Sequence, residues 1–178
     1  MIWTVHFFWS DALRGFEIYS DSDTRSVSAW RDCGLSLITL REFRSRLDGL
    51  ATGVAGEYAL VCIGRHRSVN DLPLTIVLEA LAEANTVMRL HPCLVSVLRD
   101  DLVCFLPDCS RINALRFARL LRAAVQASAP REGRLLLGIG VVPVGEARRS
   151  TQLLRFAHNA CREAMRRGHN HIEVYEPT

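Results

Sequence analysis

Residues 93–106 read Cys-Leu-Val-Ser-Val-Leu-Arg-Asp-Asp-Leu-Val-Cys-Phe-Leu, which is two short apolar runs separated by three polar residues. Apolar runs rich in Val and Leu, joined by a tight polar turn, predict a β-hairpin. We therefore expect strands over residues 93–98 and 102–106, with Arg99, Asp100 and Asp101 as the turn between them. This hairpin decides the fold because the segments on both sides of it alternate between extended and helical patterns.

The segments before the hairpin predict a helix, a strand and a second helix. Thr39 and Glu42 form a capping box for a short amphipathic helix over residues 40–50. Residues 58–63 form an apolar run that Gly64 ends, which is typical of a buried strand. Pro73 suits the first turn of a helix that continues to about Arg89.

The segments after the hairpin predict two helices and two strands. Ser110 caps a helix over residues 111–127 whose wide apolar face includes Ile112. Residues 135–142 are the most hydrophobic strand candidate. Ser150 caps a last helix that Gly168 stops, and residues 172–175 form a closing strand.

From residue 58 onward, the predicted order is βαββαβ followed by αβ. The first six elements match an α+β ferredoxin-like or palm sandwich, whose two helices cover one face of the sheet. The helix and strand after residue 150 are then an addition at the C-terminus. Residues 1–31 are rich in aromatic side chains and predict a separate N-terminal β-hairpin, which leaves residues 32–178 as the domain.

Composition limits the class of protein. The chain has 178 residues, of which 49% are hydrophobic and 23% charged, as expected for a globular domain. It contains no apolar run near the ~18 residues that span a bilayer, and its N-terminus has no basic start like that of a secretory signal. We expect a cytoplasmic protein that does not insert into membranes.

The basic residues are unusual in kind but not in number. All 22 are Arg, and the net charge is only +3. This excess is too small to indicate a nucleic acid polymer as partner. Because Lys is absent, the chain has no amine side chain for a Schiff base and no Lys ammonium for a phosphate.

The six cysteines do not indicate a metal site by their spacing. They form no Cys-x-x-Cys pair, and most lie in apolar runs such as Val61-Cys62-Ile63. We interpret them as small buried side chains in a reducing compartment. His169 and His171 have no Cys or carboxylate cluster beside them, so we read them as a turn entering a strand and predict no zinc and no other cofactor.

The element order and four segments resemble the GGDEF domain of diguanylate cyclases. Residues 32–43 resemble the start D-x-L-T-G-L-x-N-R-R-x-F, and residues 59–71 resemble the strand and turn D-x-D-x-F-K-x-I-N-D. Residues 100–107 resemble D-E-F-x-x-x-L-P, and residues 138–141 resemble S-I-G-V. Residues 153–175 resemble L-L-x-x-A-D-x-A-L-Y-x-A-K-x-x-G-R-N-x-V-x-x-Y. The resemblance covers residues 32–178 and rests on order and spacing.

The resemblance implies chemistry that joins two GTP molecules with divalent metals held by carboxylates. The chain departs from it at three places. The metal-binding Asp falls near Cys62 or Gly64, and neither offers an oxygen side chain for Mg²⁺. The two signature glycines fall at Leu98 and Arg99, and the phosphate-binding Lys falls at Met165. We therefore predict that cyclase activity is absent.

Some side chains of the family's nucleotide site remain as types. Arg67, Asn70, Asp100 and Asp101 are the candidates, although two acidic residues are also ordinary in an exposed hairpin turn. Arg89 matches the Arg of the family's product-binding motif R-x-x-D, in which Pro92 replaces the Asp. Arg can pair with a phosphate there, or it can be a surface residue at a helix end.

Three functions remain open from the sequence. The first is a catalytically inactive GGDEF-like domain that regulates or binds another signalling protein, or itself as a dimer, in cyclic di-GMP-related bacterial signalling. The second is a non-catalytic receptor for cyclic di-GMP or GTP, and the third is a cyclase with atypical site residues. The predicted interaction surface, which could equally cover the sheet, consists of Trp3, Phe7, Phe8 and Trp9.

Overall fold

The computed structural model describes most of the chain from residue 34 onward. The described ranges are 34–51, 57–65, 74–90, 93–99, 101–128, 137–144, 149–168 and 170–175. The predicted N-terminal hairpin and its aromatic surface lie outside these ranges. So do three of the predicted nucleotide-site residues, Arg67, Asn70 and Asp100.

The described residues form six strands and four helices. The strands are β1 (Leu35–Leu37), β2 (Tyr58–Arg65), β3 (Cys93–Leu98), β4 (Asp101–Leu106), β5 (Leu137–Val144) and β6 (His171–Val174). The helices are α1 (Leu40–Ala51), α2 (Leu74–Met88), α3 (Arg111–Ser128) and α4 (Ser150–Arg167). Among these four, no helix has the length and apolarity needed to cross a bilayer.

The strands form one sheet in the order β1-β3-β4-β2-β5-β6. The four central strands β3, β4, β2 and β5 pair antiparallel with one another, which is the arrangement of a ferredoxin-like βαββαβ unit. The edge strands β1 and β6 pair parallel to β3 and β5. The α+β ferredoxin-like prediction is therefore confirmed, with the C-terminal helix and strand as an addition.

Both faces of the sheet are covered, because alternate residues of each strand point to opposite sides. One face packs on α2 and α3, and its core includes Val61, Val95 and Phe117. The other face packs on α1 and α4, and its core includes Phe43 and Leu153. The ferredoxin-like helices share one face as predicted, while α1 and α4 cover the face that a bare unit would expose.

Two predicted helix N-termini have the expected capping contacts, and Gly168 ends α4 as predicted. The Glu42 N–H donates to Thr39 Oγ1 at 3.2 Å, and the Asn113 N–H donates to Ser110 Oγ at 3.3 Å. Gly168 follows α4 with a φ of 127°, a backbone conformation that L side chains rarely adopt. These ends follow from local chemistry, which is why the sequence predicts them.

The prediction for the start of α4 was wrong. Ser150 is the first helical residue and Arg149 precedes it with no capping hydrogen bond from its side chain. Asp48 of α1 supplies the cap instead, because its carboxylate accepts the Ser150 N–H at 2.8 Å and the Ser150 hydroxyl at 2.9 Å. A carboxylate at a helix N-terminus also interacts favourably with the helix dipole.

Three smaller predictions are corrected as well. Asp101 is the first residue of β4 and is buried, so it does not belong to an exposed turn. β2 continues through Gly64 to Arg65 instead of ending at the glycine. Ile112 is 78% exposed, because the buried stripe of α3 begins two residues later at Ala114.

Candidate functional site

The candidate site lies on the α4 face, where β2 ends and β4 begins. Cys62 of β2, Asp101 of β4 and Cys161 of α4 each point a ligand atom into one small volume. Their two sulfur atoms and a carboxylate oxygen all lie within 4.8 Å of one another, and all three residues are buried. Three elements that are distant in sequence thus bring two thiols and one carboxylate together.

His158 completes this cluster on its more exposed side. Its Nδ1 lies 2.9 Å from Asp101 Oδ2, and the two side chains are 20% and 8% exposed. His158, Cys161 and Met165 follow each other at spacings of three and four residues along α4, so they share one helix face. That face lies over the ends of the central strands.

Glycines in β2 and β5 allow α4 to approach the sheet closely. A β-carbon on Gly64 would lie 2.6 Å from Cys161 Sγ, and one on Gly140 would lie 2.6 Å from the Ala157 carbonyl oxygen. The Cys161 thiol also donates to the Gly138 carbonyl oxygen at 3.4 Å. A side chain at Gly140 would overlap the backbone of α4. This glycine therefore allows the close packing that brings Cys161 next to the sheet.

The environment of Cys62 favours the neutral thiol. A hydrogen-bonding contact with Cys161, complete burial and the nearby Asp101 charge together raise the pKa of Cys62 well above its ordinary value. A neutral thiol is a poor nucleophile, so Cys62 is not poised for covalent catalysis.

These residues do not fit the Mg²⁺ that the GGDEF resemblance implies. Mg²⁺ requires a near-octahedral set of oxygen ligands, usually with several waters. The resemblance places the family's metal-binding Asp near Cys62 or Gly64, and the cluster supplies only one oxygen ligand, the Asp101 carboxylate. We derive no catalytic step through a magnesium ion at this position.

In the hairpin turn, a non-glycine residue adopts a backbone conformation that favours glycine. Arg99 has a φ of 61°, in the left-handed region that favours Gly. Its neighbour Leu98 is partly buried against the core of the α4 face. The turn therefore carries two side chains where the resemblance places a bare backbone for phosphates.

The predicted nucleotide residues that the structure describes do not meet. Arg89 is exposed and follows the last residue of α2 with a φ of 54°. It precedes the start of β3, whereas Asp101 lies beyond the end of β3 and next to the hairpin turn. Six strand residues between them correspond to about 20 Å, so Arg89 and Asp101 belong to opposite ends of the sheet.

Sequence reasoning missed the two α4 side chains of the cluster. Cys161 was expected only as a buried apolar residue, and His158 was not considered. The i, i+3 spacing of these two side chains predicts that they share a helix face. Their proximity to Cys62 and Asp101 cannot be predicted from the sequence, because it depends on the position of α4 against the sheet.

A second group of cysteines lies on the opposite face of the sheet. Cys93, Cys104 and Cys109 are buried in the core that packs on α2 and α3. Contact with Cys93 and burial raise the pKa of Cys104 well above its ordinary value. Burial, with smaller contributions from Cys93 and Glu57, raises the pKa of Cys109 to about 11. All five described cysteines are free thiols, as the sequence predicted.

The fold is that of GGDEF domains in solved structures. The diguanylate cyclase SiaD from Pseudomonas aeruginosa, solved with its activator SiaC, matches with a TM-score of 0.59 and 16% identity over 85% of this chain. The GGDEF domain of YfiN, also called TpbB, from P. aeruginosa matches with a TM-score of 0.58 and 24% identity over 79% of this chain and 91% of its own. DgcB from Caulobacter crescentus, solved with c-di-GMP, matches with a TM-score of 0.60 and 12% identity over 85% of this chain and 90% of its own.

These likenesses establish the GGDEF fold for this chain. The chain spans 66% of the length of the SiaD chain. No model of a protein family matches the sequence, and no curated protein matches it.

Proposed function

We propose that this chain is a catalytically inactive GGDEF-like domain that acts as a regulatory or protein-interaction module in cyclic di-GMP-related signalling. The observation that carries the proposal is the filling of the strand ends by α4. Cys161 and Met165 pack directly on Gly64 and Gly138, so apolar and thiol groups occupy the volume over those glycines.

The chemistry of the replaced positions supports this proposal. By resemblance, the metal-binding carboxylate falls at Cys62 or Gly64 and the phosphate-binding Lys falls at Met165, so neither position offers the group that the family's chemistry uses. Charge stabilisation by a catalytic metal contributes several kcal/mol to phosphoryl transfer, so its loss alone lowers the rate by orders of magnitude. Several independent losses at one site make catalysis the least supported role.

Two structures with the same fold suggest the kind of role that remains. SiaD was solved with an activator protein, and DgcB was solved with c-di-GMP. Proteins that contain this fold can thus bind a protein partner or a cyclic dinucleotide. We expect this chain to bind another signalling protein or a second copy of itself.

Incubation of the full chain with GTP and either Mg²⁺ or Mn²⁺ tests the absence of catalysis. We expect no cyclic di-GMP by product chromatography, whereas an active diguanylate cyclase at the same concentration serves as the positive control. Cyclic di-GMP formed by this chain, and abolished by Asp101→Asn, would instead establish an atypical cyclase.

The interaction role is tested on a variant with Trp3, Phe7, Phe8 and Trp9 all changed to Ala. Sedimentation of both full-length chains, alone and with a candidate signalling partner, compares their assembly. We expect the variant to lose an association that the unchanged chain makes. Identical sedimentation of the two chains under every condition would remove these aromatic residues from the proposal.

A cyclic dinucleotide receptor is the second candidate, and the exposure of Arg89 is the observation that favours it. Its side chain is free to pair with a phosphate from solution, as the family's product-binding Arg does by resemblance. Calorimetry with cyclic di-GMP and with GTP decides this candidate. Binding that is lost in Arg89→Ala but kept in Arg116→Ala, an exposed Arg of α3, would support it. Absence of heat at high micromolar ligand would exclude it.

A further inference from the structure

The cluster of Cys62, Cys161, Asp101 and His158 has a use that the proposed function does not require. In the part of the chain that the structure describes, Cys62, Asp101 and Cys161 are the one group of three potential ligands whose atoms lie within 4.8 Å of one another. The cluster joins the helix α4 to two central strands. Its components come from residues 62, 101 and 158–161, so only the folded chain assembles it.

The ligand types select the class of cation. Thiolate sulfur favours borderline and soft cations such as Zn²⁺, while Mg²⁺ and Ca²⁺ prefer oxygen. Cys and Asp side chains both bind Zn²⁺, and three protein ligands in a tetrahedral site leave a fourth position for water or another ligand. The cluster therefore excludes the cation that the fold would suggest and favours a different one.

The separations in the cluster are close to those of a loaded site. Zn–S bonds of about 2.3 Å and Zn–O bonds of about 2.0 Å place tetrahedral ligand atoms about 3.5–3.8 Å apart. The ligand atoms here lie within 4.8 Å, so side-chain rotations that shorten separations by about 1 Å would suffice.

His158 forms the kind of hydrogen bond that typically supports a metal-binding carboxylate. Carboxylates that bind metals usually hold a further hydrogen bond, which orients them and tunes their basicity. His158 Nδ1 makes this contact with Asp101 Oδ2 at 2.9 Å, and its side chain is 20% exposed. The two sulfur atoms are buried, so the His158 side is the more open route for an ion.

We propose that Cys62, Cys161 and Asp101 bind one thiophilic divalent cation, with Zn²⁺ as the expected ion and His158 orienting the carboxylate. Binding displaces one proton from each thiol to solvent and fixes α4 to β2 and β4. This site depends on the side-chain geometry alone, so it stands or falls independently of cyclase activity or nucleotide binding.

The test is a titration of the tag-free, chelator-treated full chain with Zn²⁺, Co²⁺ and Mg²⁺. We expect one equivalent of Zn²⁺ to bind and raise the unfolding temperature. Excess Mg²⁺ should change neither the amount of Zn²⁺ bound nor this rise in unfolding temperature. Co²⁺ should produce the near-ultraviolet absorption of cobalt bound to thiolate. Absence of binding by Zn²⁺ and Co²⁺, or a cobalt spectrum without that absorption, would overturn the proposal.

Single substitutions then assign the ligands. Cys62→Ser, Cys161→Ser and Asp101→Asn should each weaken Zn²⁺ binding by roughly 100-fold or more, and His158→Ala by roughly 10–100-fold. The matched controls are Cys104→Ser on the opposite face and His171→Ala on β6, which should bind as the unchanged chain does. Equal Zn²⁺ affinity of the Cys62, Cys161 and control variants would contradict the site. If a variant does not fold, the cobalt spectrum of the unchanged chain still tests whether thiolates bind the ion.

Discussion

The two faces of the sheet hold two groups of buried cysteines with different surroundings. On the α4 face, Cys62 and Cys161 lie beside the Asp101 carboxylate, and His158 connects this group to the surface. On the other face, Cys93 and Cys104 lie in a core of apolar side chains from α2 and α3. Cysteine is thus part of a polar cluster on one face and of the apolar core on the other.

This difference shows why cysteine spacing in sequence carries little functional information here. Cys62 and Cys104 both lie in apolar runs, Val-Cys-Ile and Val-Cys-Phe, and are equally buried. They differ only in which face of the sheet they point to and which helix covers that face. The functional candidate therefore depends on packing between elements and not on local pattern.

The largest expected effect comes from separating α4 from the sheet. Gly140→Ala should lower the free energy of unfolding by about 3 kcal/mol, because the added methyl would overlap backbone atoms of Ala157, Ala160 and Cys161. Urea denaturation measures the change. The control Gly49→Ala, in a helix with open space around it, should gain about 0.5–1 kcal/mol. Equal effects of the two substitutions would mean that α4 does not approach β5 this closely.

Serine substitution compares the two cysteine groups directly. Cys104→Ser should cost about 1–3 kcal/mol, because its hydroxyl would be buried among apolar side chains. Cys62→Ser should cost less, because the Asp101 carboxylate can accept a hydrogen bond from the new hydroxyl. Urea midpoints of the two variants provide the measurement. A larger loss of stability for Cys62→Ser than for Cys104→Ser would show that Cys62 has the more apolar surroundings.

Alkaline pH should reveal a smaller contribution from the cysteines of the other face. Burial holds the pKa of Cys109 at about 11, above its ordinary value of 9.0, because the folded state favours the neutral thiol. This contribution to stability is complete below about pH 9 and is lost as the pH rises towards 11. Unfolding midpoints between pH 8 and 11 should fall less steeply for Cys109→Ala than for the unchanged chain. Parallel curves for the two chains would contradict this.

The smallest expected change concerns the hairpin turn that leads into Asp101. Arg99→Gly should raise the free energy of unfolding by about 0.5–1 kcal/mol, because Gly adopts a positive φ without the steric cost that Arg bears. Arg116→Gly, within a helix, should lower it by about 1 kcal/mol. Denaturation of both variants checks the contrast. A loss of stability in Arg99→Gly would indicate that the Arg99 side chain contributes more than its backbone costs.

Much of the fold could be predicted because its signals are local. The hairpin at residues 93–106, the caps at Thr39 and Ser110 and the end of α4 at Gly168 all follow from residues within one or two turns of the chain. The start of α4 could not be predicted this way, because its capping carboxylate, Asp48, lies 102 positions earlier in the sequence. Asp101 was misplaced for a related reason, since its burial depends on His158 and Cys62 covering it.

The amino-acid sequence by itself determined the order of strands and helices and the ferredoxin-like βαββαβ core, and its resemblance to GGDEF domains predicts the loss of an oxygen ligand and of a Lys at the nucleotide positions. These properties depend on residue type and on periods of two or 3.6 residues. Only the tertiary structure decided that Cys62, Cys161, Asp101 and His158 meet. The physical reason is that their proximity is set by how closely α4 packs on Gly138 and Gly140, and such packing joins residues that no sequence period connects.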